Sequence, residues 1–154
     1  MDLNDKELSS QRKDDHISLA ENSQLKTASK DPRFYYEPLL SAHPNNHDDA
    51  LRTTIFSKTL SAPLWVSSMT GGSDKAYGLN RVIANTVKKF KIGMGLGSCR
   101  CLMHDSDRFE DFNLRPIIGD DLPFFANIGI AQLEELNSSK KVREFFLGQL
   151  SDLG

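Results

Sequence analysis

Two short groups of side chains have the charge and the spacing to bind a phosphate. Arg12, Lys13 and His16 lie within five positions of each other, and a planar guanidinium beside a lysine ammonium suits a phosphate anion. Ser98 and Arg100 follow a glycine-rich segment and form a second candidate phosphate site, where each charge-assisted hydrogen bond contributes roughly 1.5–3 kcal/mol. Taken locally, the first group is more typical of the solvated start of a helix.

Further polar residues follow two apolar segments. Residues 63–66 give the strongest buried-strand pattern of the chain, and Ser68, Met69 and Thr70 then lead into two glycines. Hydroxyls and open backbone N–H groups at the carboxyl end of a strand lie where α/β folds bind ligands, although an ordinary turn into a helix is the alternative. Asn127 is a lone amide in an apolar segment, and it either braces a turn or contacts a ligand, because buried amides need partners.

The remaining reactive side chains indicate no metal or redox site. His43 and His47 are four residues apart, as helical metal ligands can be, but Pro44 between them favours a turn. Cys99 and Cys101 alternate along a predicted extended segment, so their side chains should point to opposite faces and stay reduced. The glycines within 93–97 do not match a dinucleotide-binding loop, but they permit close approach of a flat ring or a neighbouring backbone.

The composition of the chain restricts its class. Its 154 residues suffice for one domain with a core, and a net charge of −2 with a pI of about 6.1 gives no sign of a nucleic-acid partner. No apolar run approaches the roughly 18 residues of a membrane span, and the polar N-terminus lacks a secretory signal. The two cysteines are typical of a reducing cytoplasm. Residues 1–10 are predicted to form a disordered leader.

Alternating strands and helices must position these groups. We predict strands over 53–60, 63–67, 92–98 and 122–129, and helices over 17–30, 74–90, 106–114, 131–136 and 140–151. The second helix is predicted to begin at a Ser73 or Asp74 cap and to end at Gly93, and its apolar face is assigned to Leu79, Val82, Ile83, Thr86, Val87 and Phe90. This alternation predicts an α/β fold with a parallel sheet, in which the polar groups after the strands meet at one edge.

Four motifs occur in order along the chain: Arg-Lys-Asp-Asp-His-Ile at 12–17, the segment at 63–72, Gly-Ser-Cys-Arg at 97–100 and Ala-Asn-Ile-Gly at 126–129. Together they resemble the type 2 isopentenyl diphosphate isomerases, a family of flavin-dependent (β/α)8-barrel enzymes. The resemblance implies that residues 11–154 are the N-terminal part of an FMN-binding barrel domain. They would form the first three βα units of a TIM barrel after a polar N-terminal segment, well under half of a full member.

The same resemblance implies a role for each matching residue. The residues implied to bind the substrate's diphosphate are Arg12, Lys13, His16, Ser98 and Arg100. The residues implied to contact FMN are Ser68, Met69, Thr70, Ser98 and Asn127. Cys99 stands where glutamine is common in the family. The catalytic residues and the metal ligand of the family are expected beyond residue 154.

The implied reaction moves the double bond of isopentenyl diphosphate to give dimethylallyl diphosphate. The implied cofactors are FMN, NADPH to keep the flavin reduced, and Mg²⁺ to neutralise part of the diphosphate charge. A cytoplasmic homo-oligomer is implied for the full-length protein, and the fragment is expected to be inactive alone. Two alternatives remain: a non-catalytic truncated remnant or interaction module, and another FMN barrel such as a 2-hydroxy-acid oxidase.

Overall fold

A computed structural model describes residues 3–23, 49–68 and 70–154, so Met69, His43 and His47 lie outside the described residues. The helices are α1 (Leu3–Asn22), α2 (Asp74–Phe90), α3 (Phe109–Phe112), α4 (Arg115–Ile118), α5 (Ile130–Ser138) and α6 (Lys140–Asp152). The strands are β1 (Thr53–Ile55), β2 (Lys58–Leu60), β3 (Trp65–Val66), β4 (Gly93–Ser98) and β5 (Phe124–Asn127), and a 3₁₀ helix spans Cys99–Met103.

The central element is a parallel sheet with the order β3-β4-β5. Val66 lies opposite Met94, and Met94 lies opposite Phe124. Helices connect these parallel strands, as a parallel pair requires. The predicted α/β class is therefore confirmed, and the strands at 92–98 and 122–129 are found close to their predicted positions. The sheet formed by the described residues is open and does not close into a barrel.

The glycines of β4 accommodate neighbouring protein atoms. A Cβ at Gly93 would overlap the indole ring of Trp65, and a Cβ at Gly97 would lie 2.6 Å from the carbonyl carbon of Thr70. A Cβ at Gly95 would overlap the hydroxyl of Ser68. The close approach predicted from the glycine spacing is therefore made, within the described residues, by the segment that begins with β3.

Helix α2 begins as predicted but ends and packs differently. Ser73 is its N-cap, with the hydroxyl accepting a 3.3 Å hydrogen bond from the amide of Ala76. The left-handed residue that ends the helix is Lys91, with φ 50°, and not Gly93. Gly93 was the wrong choice because it is already the first residue of β4.

The predicted apolar face of α2 is only partly right. The buried residues of the helix are Ala76, Asn80, Ala84 and Val87. Val82 is 64% exposed and Phe90 is 56% exposed. Leu79 and Ile83 of the predicted face are half-buried, so the predicted face and the buried face overlap only in part.

Residues 53–60 form a hairpin where a single strand was predicted. Its strands β1 and β2 are antiparallel and joined by Phe56 and Ser57, both with positive φ (50° and 62°). Two left-handed residues match the right-handed twist of a tight hairpin, but asparagine and glycine are the usual occupants. The Phe-Ser pair therefore gave no indication of a turn in the sequence.

The helix predicted over 106–114 is replaced by two single-turn helices. Helix α3 ends at Phe112 and α4 begins at Arg115, with Pro116 in its first turn. Proline is tolerated there because the first amides of a helix have no intrahelical acceptor. The C-terminal helices are confirmed, and Ser139 separates α5 from α6 and caps α6 by accepting from the amide of Val142.

Helix α1 starts at Leu3, within the segment predicted to be a disordered leader, and it already includes residues 11–16. No proline or glycine interrupts residues 3–22, so a helix can extend through them.

No helix among the described residues is both long enough and apolar enough to cross a membrane. The core includes fully buried Leu60, Met94, Leu96, Leu102, Phe112 and Phe146.

Candidate functional site

The carboxyl ends of β3, β4 and β5 lie at the same edge of the sheet, because the three strands are parallel. The amide of Gly97 donates a 2.8 Å hydrogen bond to the carbonyl oxygen of Thr70. Ser98 is the register partner of Asn127. The structure thus brings Thr70, Ser98 and Asn127 together, at an edge that we call the carboxyl edge.

Helix α1 lies across the carboxyl edge. The ammonium of Lys13 donates to the carbonyl oxygen of Ser98 at 3.4 Å, and Arg100 Nη2 donates to Ser9 Oγ at 2.9 Å. The hydroxyl of Ser73, the N-cap of α2, donates to the carboxylate of Asp14. Side chains of α1 therefore contact the chain after β3 and the chain after β4.

Lys13 is held in a partly buried position. Its Nζ lies 5.8 Å from the ring centroid of Phe112, and a Cβ at Gly72 would lie 2.5 Å from Nζ. Burial lowers the pKa of Lys13, and the positive charge of Arg100 lowers it further. The ammonium thus lies against the protein next to Ser98.

A cleft of about 560 Å³ adjoins this position and contains two of the predicted diphosphate ligands. The residues that line it are Leu8, Ser9, Arg12, Arg100, His104, Gln132 and Glu135. Within the described ranges, neither Arg12 nor Arg100 forms an ion pair with a carboxylate. Two uncompensated guanidiniums beside one cleft are suited to bind a phosphate. His16 is exposed and does not line the cleft.

His104 and Glu135 were not identified from the sequence. His104 Nε2 lies 2.9 Å from Glu135 Oε1, with the two side chains 33% and 42% exposed. His104 follows the 3₁₀ helix after β4, and Glu135 lies on α5, which follows β5. Their positions after two successive strands could have indicated that both lie at the carboxyl edge, but neither residue belongs to a recognised motif.

The hydroxyl of Thr70 is used inside the protein. It donates to Oδ1 of Asn80, whose Nδ2 donates to the carbonyl oxygen of Asp111 at 2.8 Å. Asn80 is fully buried on α2. Asn80 was not identified from the sequence, because one polar residue on a helix does not reveal which face is buried. The role of Thr70 in flavin binding stays a prediction.

Asn127 and Ser68 have polar groups available at the carboxyl edge. No described residue forms a hydrogen bond with the side-chain amide of Asn127, which is half-buried. Ser68 is exposed, and its hydroxyl lies above Gly95. A half-buried amide without a protein partner is suited to contact a ligand. The flavin contacts predicted for these two residues are not tested by this geometry.

A buried carboxylate lies behind the glycine turn that follows Thr70. Burial raises the pKa of Asp111, while Arg108 and the amide of Gly72 lower it. Asp111 Oδ2 has no hydrogen-bond partner among the described residues and lies 3.8 Å from Arg108 Nη1, which also pairs with Asp74. This network connects the start of α2 with the segment around α3.

The cysteines offer no activated thiol. Cys99 and Cys101 are both free, and they lie on the 3₁₀ helix and not on the extended segment that was predicted. Burial raises the pKa of Cys99 to about 11 and also raises the pKa of Cys101. A thiol that stays protonated at neutral pH is a poor nucleophile.

No family model matches the chain. Three curated proteins similar to it are named isopentenyl-diphosphate delta-isomerase. The protein of Rickettsia rickettsii (strain Sheila Smith) is 40% identical over 136 residues, which are 85% of this chain and 39% of that protein. The proteins of Rickettsia typhi and Rickettsia prowazekii are 37% and 35% identical over 127 residues, covering 80% of this chain and 36% of each protein. The chain therefore spans about two fifths of the length of the curated relatives it matches.

Proposed function

We propose that this chain is part of a type 2, FMN-dependent isopentenyl diphosphate isomerase, which interconverts isopentenyl diphosphate and dimethylallyl diphosphate. The observation that carries the proposal is that Arg12 and Arg100 line one cleft beside the carboxyl edge. The names of the relatives support the same reaction. The flavin-dependent type is proposed from the motifs at 68–72 and 97–100.

On this proposal, the diphosphate binds in the cleft between Arg12 and Arg100. A diphosphate carries several negative charges, and two guanidiniums can each form forked hydrogen bonds to its oxygens. Lys13 adds a cation at the boundary between the cleft and the carboxyl edge, next to Ser98. His16 lies one helical turn after Arg12 and shares its side of α1. Mg²⁺ would neutralise part of the remaining charge.

On the same proposal, the flavin binds at the carboxyl edge. Asn127 offers an amide that no described residue uses, and Ser68 offers an exposed hydroxyl on the neighbouring segment. Thr70 would contribute backbone atoms, because its hydroxyl is bonded to Asn80. When bound, reduced FMN, kept reduced by NADPH, supplies the acid–base group for the shift of the double bond. Ser98 and Met69 complete the proposed set of flavin contacts.

The role of the chain's own residues is to hold the substrate. By fixing the diphosphate, Arg12 and Arg100 restrict where the allylic carbons can lie, and restricted geometry lowers the entropic part of the barrier. Lys13 is oriented by the carbonyl oxygen of Ser98, and its position at the edge keeps a positive charge near the diphosphate.

We assign β3, β4 and β5 with their helices to the first three βα units of an eight-unit barrel. On this assignment the catalytic groups belong to the part of the relatives that this chain does not match, and the 154 residues alone are inactive. We further propose that the complete enzyme is a cytoplasmic homo-oligomer.

The proposal is tested with the complete gene product, assayed for isomerisation of isopentenyl diphosphate with FMN, NADPH and Mg²⁺. Arg100→Ala should raise KM by about 10- to 100-fold, because charged hydrogen bonds contribute about 1.5–3 kcal/mol each. Its melting temperature should change little, since Ser9 is the partner that the structure gives its guanidinium. Arg52→Ala is the matched control, because Arg52 is an exposed arginine paired with Asp49 and does not line the cleft.

Two results would contradict the proposal. An unchanged KM with a lowered melting temperature in Arg100→Ala would show that Arg100 is structural. A wild-type protein that binds no FMN and has no isomerase activity would favour the non-catalytic interaction module. An observation that fits such a module is a partly exposed aromatic group, in which the rings of Phe56 and Trp65 lie 5.3 Å and 5.0 Å from the ring of Phe125.

A further inference from the structure

The cleft that contains Arg12 and Arg100 also contains a histidine–glutamate contact that the proposed function does not use. His104 Nε2 lies 2.9 Å from Glu135 Oε1, and both residues line the cleft. The two residues come from different elements, the end of the 3₁₀ helix and α5. Each side chain is more than a quarter exposed, so either partner can exchange its contact without unfolding the chain.

The charges of the cleft indicate how the contact between His104 and Glu135 affects anion binding. In the described part of the chain, Arg12 and Arg100 have no carboxylate partner, whereas the imidazole of His104 is occupied by Glu135. Among the described residues that line the cleft, Glu135 is the one acidic side chain. Its negative charge opposes the entry of an anion, and its contact with His104 occupies a nitrogen that could otherwise bind a phosphate oxygen.

We propose that His104 binds a phosphate oxygen of the ligand and that Glu135 is the counter-ion which the ligand displaces from it. This inference rests on the proposed function, since it adds a residue to the same anion cleft. Glu135 then limits the affinity of the cleft for anions and favours ligands with enough negative charge to replace a carboxylate. The class of ligand is a multiply charged phosphate anion.

The inference predicts opposite effects for the two partners. His104→Gln should weaken the binding of inorganic pyrophosphate to the chain by about tenfold, because the imidazole donor to a phosphate oxygen is lost. Glu135→Gln should strengthen it by about three- to tenfold, because a competing and repelling charge is removed. Both dissociation constants are measured by isothermal titration calorimetry in buffer of fixed low ionic strength, with circular dichroism to confirm that each variant is folded.

Glu134→Gln is the matched control for the charge change. Glu134 is the neighbouring residue on α5, is exposed and does not line the cleft. The dissociation constant of pyrophosphate from Glu134→Gln should therefore stay within about twofold of the wild-type value. A purely structural pair would give weaker binding in both His104→Gln and Glu135→Gln. That result, or equal effects of Glu134→Gln and Glu135→Gln, would overturn the inference.

Arg100→Ala separates this inference from the proposed function. If Arg100→Ala weakens pyrophosphate binding and His104→Gln does not, the anion cleft is supported and the role of His104 is wrong. If the wild-type chain does not bind pyrophosphate at all, both the anion cleft of the proposed function and the exchange of Glu135 are wrong.

Discussion

Replacing Gly97 with alanine should destabilise the fold, because the space beside its Cα is filled by the chain that follows β3. A Cβ at Gly97 would lie 2.6 Å from the carbonyl carbon of Thr70 and 2.8 Å from its amide nitrogen. Ordinary contacts to a Cβ begin near 3.4 Å. The two chain segments must therefore separate by roughly 1 Å, and neither is a flexible side chain that could move aside.

The expected loss is about 2 kcal/mol in the free energy of unfolding. Overpacking of a rigid site costs about 1–3 kcal/mol, and weakening the hydrogen bond from Gly97 N–H to the Thr70 carbonyl costs about 0.5–1.5 kcal/mol. Alanine recovers about 0.4–1 kcal/mol by restricting the unfolded chain. For a chain of this size, the melting temperature should fall by about 4–8 °C.

Gly78→Ala provides a matched control of opposite sign. Gly78 lies in α2, is exposed, and has no atom within 4 Å of a Cβ built on it. Alanine there should raise the free energy of unfolding by about 1 kcal/mol through helix propensity. Urea unfolding is followed by circular dichroism and by the fluorescence of Trp65, the single tryptophan of the chain. A Gly97→Ala protein as stable as Gly78→Ala would refute the packing described for β4.

Two further predictions concern buried polar groups. Asn80→Leu should lower the free energy of unfolding by about 3 kcal/mol, because it leaves the Thr70 hydroxyl and the Asp111 carbonyl without partners; adding Thr70→Val should restore about 1 kcal/mol in urea titrations, and strictly additive effects would contradict the pairing. Asp111→Asn should stabilise the protein at pH 7, because burial raises the pKa of Asp111 and ionisation therefore costs stability as the pH rises above its ordinary range. The gain should disappear below about pH 4, where Asp111 is protonated in both the folded and the unfolded protein. Equal urea midpoints of the wild type and Asp111→Asn at pH 7 would show that Arg108 compensates for burial.

The order of elements could be predicted because it depends on local patterns. The apolar segments that became β4 and β5 are bounded by turn residues, and Ser73 is a good N-cap before a long periodic segment. The carboxyl edge follows from this order, since parallel strands joined by helices end on the same side. Thr70, Ser98 and Asn127 could therefore be placed together without coordinates.

The features that could not be predicted from the sequence depend on contacts between elements. The buried face of α2 includes Ala76, Ala84 and the hydrogen-bonded Asn80, and none of these carries a strong hydrophobic signal. The pair of His104 and Glu135 joins residues 31 positions apart, which no periodicity connects. The position of α1 is equally non-local, because it depends on Lys13 and Arg100 reaching partners about 90 residues away in sequence.

The space above Gly93 of β4 is occupied by a side chain of the neighbouring strand β3. Trp65 supplies the bulk on one side of the sheet, and Gly93 leaves the room for it, so neither position can change size independently. Reducing Trp65 to alanine would uncover Gly93, because glycine has no side chain to occupy the vacated space. A size exchange, with a smaller residue at 65 and a larger one at 93, is consequently the type of double substitution that this layer should tolerate better than either single change.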